Sequence, residues 1–366
     1  MTACRFCAGT DGEVVLDLGV QPDCATFPPA ADPGPDATSP LRMWLCDACG
    51  LAQLAEDPGG VEEVVGLEPA ALVEQGRSAV AALAAAGVVG PGVSFVEYGS
   101  PHGGSWVADL SATGATPVAP DEPADVVVDN LGLMHDADQA TAVRERAARL
   151  RPGGTLVIGF HTLHAIVEGA QWNALRHGHF AYYSTPALVG MLETVGLAAV
   201  RAWWFPLYGG TVLLVARAGG EQQESVRAMV AAEDAAGVRD AATVSSLQRA
   251  ADRTTTGVRE FLEAERAAGR PVWGYSAASR AVALLSRAGI GPDLLPAIAD
   301  GSVAKQGRRT PGTAIPIVAP DALVAAAPRS VLLFVDDLLP EMRRALPQVE
   351  APGGRWLLPD TLPVRA

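Results

Sequence analysis

Four of the chain's five cysteines fall into two Cys-x-x-Cys pairs, Cys4-Arg-Phe-Cys7 and Cys46-Asp-Ala-Cys49, while Cys24 stands alone between them. No other feature constrains the fold as much. Each pair brings two thiolates to one ion, and two pairs make a four-sulfur site whose assembly is coupled to folding of the surrounding chain. A redox Cys-x-x-Cys needs no second pair, so zinc is the expected occupant, held by Cys4, Cys7, Cys46 and Cys49. With four sulfurs bound, the metal keeps no open position, which makes its role structural. Pro and Gly in FPPAADPGPDATSP, between the pairs, mark irregular backbone. Residues 1–70 therefore read as a zinc-binding module.

The remainder alternates. SAVAALAAAG is helical, VSFVEYG is a strand, and SPHGG is a loop. Then come the strand VVVDNL, a helix ending RERAARLRPGG, the strand TLVIGF, a helix at PALVGMLETVG, and strands at AAVRAWWF and GTVLLVARA. Strand–helix alternation predicts a doubly wound α/β sheet over residues 71–218, with its ligand at the strand C-terminal ends. Residues 221–268, rich in Ala, Glu, Gln and Arg, read as a helical connector broken at Gly237, their charges forming a solvated face. Strands at PVWGYSAAS, LLPAIAD, SVLLFVD and RWLLP then predict a second, smaller parallel sheet, so that residues 219–366 hold the connector and a C-terminal α/β domain.

Composition narrows the function. The 366 residues are 49% hydrophobic, enough for real cores, and carry a formal net charge of −14, which disfavours nucleic acid as a partner. No apolar run approaches the ~20 residues that cross a bilayer, and MTACRFCAGT lacks a secretory signal pattern. The expectation is a cytoplasmic enzyme, a monomer or small homo-oligomer, with neither a membrane nor a nucleic-acid partner.

Two segments concentrate chemistry. In RHGHFAYYS (Arg176 to Ser184), two of six histidines sit beside two tyrosines. Histidines two apart can be a base, half a metal site or loop packing. EYGSPHGG (Glu97 to Gly104) joins a strand to a helix, and its glycines let backbone N–H groups approach a ligand. DNLGLMHDAD followed by LRPGGTLVIGF has the order of an S-adenosylmethionine (SAM) methyltransferase.

These motifs together resemble the sugar C-methyltransferases that modify nucleotide-linked deoxysugars in antibiotic biosynthesis. CRFC, VLDLGVQP and PLRMWLCDACGLAQL match that family's zinc module. QWNALRHGHFAYYS and GLAAVRAWWFPLYGGTVLLVA match its Q-F-D-x-x-Y-H-E-H-F-x-Y-x-S and H-G-G-S segments, and VWGYSAASRA and ADGSVAKQGRRTPGTAIPI match its C-terminal domain. The resemblance implies a zinc module, a Rossmann-like SAM domain and a smaller Rossmann-like nucleotide-sugar domain. It implies methylation of a nucleotide-linked keto deoxysugar, with thymidine diphosphate (TDP) as the handle, through an enolate formed beside the keto group. His179 matches the family's base, with His177 and Tyr182 as polar partners. Glu97, Gly99, Ser100, Gly103 and Asn130 fall at the cofactor. Arg176, Tyr275, Ser276, Arg280, Lys305 and Arg308 fall at the nucleotide sugar, with the Gly274–Ala277 amides expected to meet its diphosphate.

The sequence also departs from the pattern. Arg176 and Gly178 replace the Tyr and Glu of Y-H-E-H, Pro101 and His102 replace an Asn-Asp pair, and GLEPAALVEQGRS lacks an aromatic D-Y-x-Y segment. Only SWVADLSATGATPVAPDEP separates the Gly-rich loop from ADVVVDN, where two strands and two helices normally supply a ribose-binding acid and the adenine walls. Ala119-Pro120 stands where Glu-Pro is expected, leaving Asp121 or Glu122 as substitutes. A shortened cofactor domain is predicted, and with it three outcomes: a methyltransferase of altered specificity, a SAM-independent epimerase or isomerase of a TDP-keto sugar, or a non-catalytic nucleotide-sugar-binding partner.

Overall fold

The computed structural model describes residues 2–57, 68–101, 103–351 and 353–364. His102, one of the departures in the Gly-rich loop, lies outside the described residues. In the zinc module, strands β1 (Gly12–Pro22), β2 (Thr38–Cys46) and β3 (Ala52–Leu54) form an antiparallel sheet. The register pairs Gly12 with Cys46, so the second cysteine pair emerges beside the start of β1.

The central block runs α1 (Ala70–Ala85), β4 (Ser94–Gly99), α2 (Val107–Ala112), β5 (Thr116–Pro117), β6 (Ala124–Asn130), α3 (Gln139–Ala148), β7 (Leu150–His161) and α4 (Leu163–Glu168). It continues through β8 (Ala181–Tyr182), α5 (Thr185–Glu193), β9 (Ala198–Phe205) and β10 (Thr211–Arg217). Its sheet has the order β5-β4-β6-β7-β10-β9, parallel from β5 to β7 and antiparallel on both sides of β10. The unbroken apolar runs of β6 and β7 reflect burial on both faces. Val127, Leu156, Ile158 and Leu214 pack on one side, and Val126, Val128, Val157 and Leu213 on the other. Between the Gly-rich loop and β6 stand only the six-residue α2 and the two-residue β5, the shortening that the sequence predicts.

Helices α6 (Glu224–Ala235), α7 (Ala241–Val244) and α8 (Ser246–Ala267) form the connector, with the turn at Gly237. Not all its charges are solvated. Glu233 of α6 is buried, its carboxylate accepting hydrogen bonds from the hydroxyls of Thr162 and Thr185 and from the Thr185 amide, and so pinning the starts of α4 and α5.

The last block contains β11 (Val272–Tyr275), α9 (Ser279–Arg287), β12 (Ile298–Ala299), β13 (Ile317–Val318), α10 (Pro320–Ala326), β14 (Ser330–Leu333), α11 (Leu339–Ala345) and β15 (Arg355–Leu357). Its five strands are parallel in the order β13-β12-β11-β14-β15. The short β13, in IPIVAP, is an addition to the expected strands; two prolines flank only two ladder residues, too little pattern to read.

The three blocks share their interior. One apolar cluster joins Leu16 and Met43 of the zinc sheet to Trp172 and Tyr182, Val258 of α8 and Leu285 of α9. Moreover, β8 leaves the central block to pair with β3, Ala52 facing Tyr182. The histidine-bearing segment is thereby attached to the zinc module's sheet.

Candidate active site

The four cysteines of the paired motifs converge, their Sγ atoms all lying within 4.8 Å of one another. Cys4 and Cys49 approach to 3.5 Å and Cys7 and Cys46 to 3.6 Å. A tetrahedral ion with Zn–S bonds of ~2.3 Å sets its sulfurs about 3.8 Å apart, so the donor set and spacing fit zinc. Cys24 lies elsewhere, buried with its Sγ 4.0 Å from the His177 carbonyl.

The chemistry collects at the C-terminal ends of the central strands, where open α/β sheets place their ligands. A cavity of about 200 Å³ opens there, bounded by Ser100 and Gly103 after β4, Asn130 at the end of β6 with Leu131, Met134 and His135 after it, and His161 at the end of β7. Arg176, His179 and Tyr182 from the histidine segment, Tyr208 from the β9–β10 turn, and Ser279, Arg280 and Lys305 from the C-terminal domain close it. A second cavity of about 220 Å³ adjoins it and shares Glu68, Arg176, Tyr208, Arg280 and Lys305. Tyr275, Ser276 and Asp300 line the second one.

Local structure explains why these groups meet. Gly132 holds β4 and β6 in close approach: a Cβ there would stand 3.1 Å from the Gly99 and Tyr98 carbonyl oxygens. Asp129, fully buried, accepts from the amides of Gly132 (2.9 Å) and Leu133 (2.8 Å) and fixes the turn after β6. Its other oxygen meets Arg146 Nε at 2.6 Å, and Arg146 Nη2 reaches Asp136 at 2.7 Å. From that turn the His135 Nδ1 bonds the Gly178 carbonyl at 2.9 Å, and the Met134 carbonyl accepts from the Phe180 amide at 2.7 Å. Because a carbonyl can only accept, His135 carries a proton on Nδ1. Its ring meets that of His179 edge to face, with centroids 4.6 Å apart. Gly178 has φ +82°, a left-handed position that disfavours the Glu of the family pattern.

Several expected site residues lie elsewhere or are already engaged. His177 faces away from the cavity; its Nε2 lies 3.0 Å from Ser39 Oγ and 3.3 Å from the Pro40 carbonyl, and burial lowers its pKa. It ties the segment to β2 rather than assisting His179. Tyr182 lines the cavity, but its hydroxyl accepts from the Arg176 amide at 3.1 Å and donates to the Ala174 carbonyl at 3.2 Å. A phenol so bonded holds the loop, and burial further raises its pKa. Tyr208 also lines the cavity.

On the cofactor side, Ser100, Gly103 and Asn130 reach the cavity. Glu97 and Gly99 do not line it. The Glu97 carboxylate accepts from the Trp106 amide and the Ser105 hydroxyl, each at 2.6 Å, and so anchors the start of α2. Asn130 donates from its amide nitrogen to the Gly104 carbonyl at 3.1 Å, while its buried Oδ1, on the side of Gly159 in β7, has no hydrogen-bond partner among the described residues. These groups fit the methionine end of SAM. The adenosine end is less furnished: Asp121 and Glu122, offered by the sequence as ribose acids, are exposed, and neither lines the cavity.

On the nucleotide side, Arg176, Arg280 and Lys305 line both cavities, and Tyr275 and Ser276 the second. Arg308 lines neither; its guanidinium donates to the Phe27 and Ala304 carbonyls and ties its loop to the zinc module. The Gly274–Ala277 turn does not offer its amides to a diphosphate. Gly274 and Ser276 donate to Ala297 and Ala299, and Ala277 donates to the Asp300 carboxylate at 2.7 Å. The Gly274, Ser276 and Ala277 amides are thus already engaged, and the cations beside them are side chains. Burial and the charge of Arg280 lower the pKa of Arg176, whose Nη1 reaches the Ser279 hydroxyl.

Sequence reasoning overlooked His135, His161 and Tyr208. Two of them had a signal, since His161 ends β7 and His135 comes after β6, the strand ends where ligands bind.

Comparison with known proteins agrees with this layout. Residues 4–58 match the family model described as "Putative zinc binding domain", and residues 206–360 match "C-methyltransferase C-terminal domain". The C-methyltransferase NovU of Streptomyces niveus is 27% identical over 230 residues, covering 62% of this chain and 55% of NovU. The chain is thus similar to C-methyltransferases in two separate stretches. Its match spans only about half the length of this curated relative. Among solved structures, a Burkholderia thailandensis 1,6-didemethyltoxoflavin-N1-methyltransferase matches 41% of this chain and 78% of its own at 17% identity and a TM-score of 0.31. Magnesium protoporphyrin IX methyltransferase from Synechocystis matches 41% and 84%, at 14% identity and a TM-score of 0.30. The four-cysteine cluster lies in the first matched region, while Tyr208, Arg280 and Lys305 fall in the second.

Proposed function

We propose that this chain is a SAM-dependent C-methyltransferase acting on a nucleotide-linked keto deoxysugar with TDP as the handle. What supports the reading is one continuous cleft, with imidazoles at the central strand ends and three cations beside them in a protein of net charge −14. Arg176, Arg280 and Lys305 would hold the diphosphate, Arg through paired N–H groups. That anchor sets the sugar against His179 and His135. A keto group acidifies the neighbouring C–H bond, and His179 would take that proton, with the His135 ring packed edge to face beside it. Tyr208, whose pKa burial raises, keeps its proton to donate to the enolate oxygen. Ser100, Gly103 and Asn130 would hold the methionine end of SAM, which when bound supplies the electrophilic methyl group. A cytoplasmic place in deoxysugar and antibiotic biosynthesis accords with this chemistry.

The short connection holding only α2 and β5 favours a second reading, in which the enolate is reprotonated and the keto sugar epimerised without SAM. One experiment separates the two. The zinc-loaded protein is incubated in D₂O with a TDP-keto deoxysugar, with and without methyl-labelled SAM, and the sugar is analysed by mass spectrometry. Label transfer that His179→Gln reduces by at least about a hundredfold supports methylation, the lower end of general acid–base contributions. Deuterium uptake without label transfer supports epimerisation, and neither signal leaves a non-catalytic binding partner.

A further inference from the structure

His161 has no part in the chemistry just described, yet it stands at the end of β7 inside the cavity. Its ring lies 5.8 Å from that of Tyr208 and hydrogen-bonds the Tyr208 backbone. The Tyr208 amide already faces Asp337 Oδ1 at 3.3 Å, so the carbonyl takes the imidazole proton. The other nitrogen, Nε2, is buried and has no hydrogen-bond partner among the described residues. A buried acceptor left bare carries a desolvation cost, and such groups in folded chains are normally satisfied. Arg280 and Arg176 flank the ring, and Arg280 also lies over the Tyr208 ring, 5.3 Å from its centroid. Burial, then these two positive charges, hold the imidazole neutral, its pKa lowered to about 3. A group so hard to protonate is a poor base for enolisation but a permanent acceptor.

We propose that His161 is a specificity-determining residue whose Nε2 accepts a hydrogen bond from a hydroxyl of the bound ligand, beside the anionic group held by Arg176 and Arg280. This rests on the phosphorylated-sugar reading of the cleft and adds a contact to it: the ligand must carry a hydroxyl donor next to its phosphate-bearing end. A ligand without that donor leaves Nε2 buried and bare, and the site discriminates against it.

The test is calorimetric titration of the full-length, zinc-loaded protein with TDP-glucose and, separately, TDP, for wild type, His161→Leu and His161→Gln. Wild type is expected to bind TDP-glucose more tightly than TDP. His161→Leu should weaken TDP-glucose about tenfold with TDP unchanged, and His161→Gln, which keeps an acceptor, should recover part of the loss. Equal weakening of both ligands, or no weakening of TDP-glucose by His161→Leu, overturns the proposal. Wild-type protein that binds neither ligand overturns the nucleotide-sugar reading and the inference with it, a failure distinguishable from a flat His161 series on a binding-competent protein. Zinc content and melting temperature, matched across the three proteins, show that the variants fold.

Discussion

Backbone carbonyls orient two of the cavity's imidazoles, His135 through Gly178 and His161 through Tyr208, and the two then differ in surroundings. His135 packs against His179, whereas His161 feels the positive charges of Arg280 and Arg176. The buried imidazoles make stability depend on pH. His161 and His177 both have lowered pKa values in the folded chain, burial being the main cause for each. Unfolded histidine takes a proton near pH ~6.5. Below that pH the unfolded chain binds protons that the native chain refuses, so stability falls from pH ~6.5 down toward the folded value of about 3 for His161 and is unaffected above. The limiting slope is ~1.4 kcal/mol per pH unit for one such group. Urea unfolding at about pH 7 and pH 5 should show a smaller acid loss for His161→Gln than for wild type; an identical loss would contradict the neutral-imidazole assignment. The sequence made His179 legible because a motif surrounds it. It could not distinguish His177, two positions away, as a tether to Ser39, because that depends on which side of the turn meets β2.

At the scale of elements, the Asp129–Arg146–Asp136 chain, buried at Asp129 and Arg146 and half-buried at Asp136, joins α3 to the turn that presents His135. Arg146→Met would leave the Asp129 charge without its guanidinium at a fully buried site. The expected cost is about 3–5 kcal/mol, read as a fall in the denaturation midpoint. Retention of wild-type stability would mean the carboxylate is protonated and Arg146 dispensable. The zinc site and the histidine segment are coupled as well, because β2 carries Cys46, pairs with β3, and β3 pairs with β8. Chelation is expected to lower the melting temperature and to raise hydrogen exchange at Ala181 and Tyr182, not only around the cysteines. Exchange changes confined to the zinc module would deny that coupling. The pairing of β8 with β3 was not legible, since two ladder residues inside an aromatic run carry no alternation. Longer elements were: the apolar runs of β6, β7 and β10 announce a sheet buried on both faces.

For the whole molecule, the notable property is a cleft where Arg176, Arg280 and Lys305 meet the carboxylates of Glu68, Asp300 and Glu341, at the junction of the central sheet with the start of α9. The expected amide cradle at Gly274–Ala277 failed because Asp300, over twenty residues downstream, fills it, a tertiary contact invisible to motif reading. The cations around it were legible as residue types, yet only folding separates Arg280 and Lys305, which face the cleft, from Arg308, which is tied to Phe27. The central claim is that this cleft holds a methyl donor at the β4 and β6 ends and a nucleotide handle beside Arg280. It is tested most directly by isothermal titration of the zinc-loaded protein with SAM and, separately, with TDP. Saturable binding of both, with Arg280→Ala weakening TDP at least about tenfold and leaving SAM unchanged, is the predicted result. TDP binding with no detectable SAM binding would contradict methylation and leave enolisation of a keto sugar as the chemistry of the cleft.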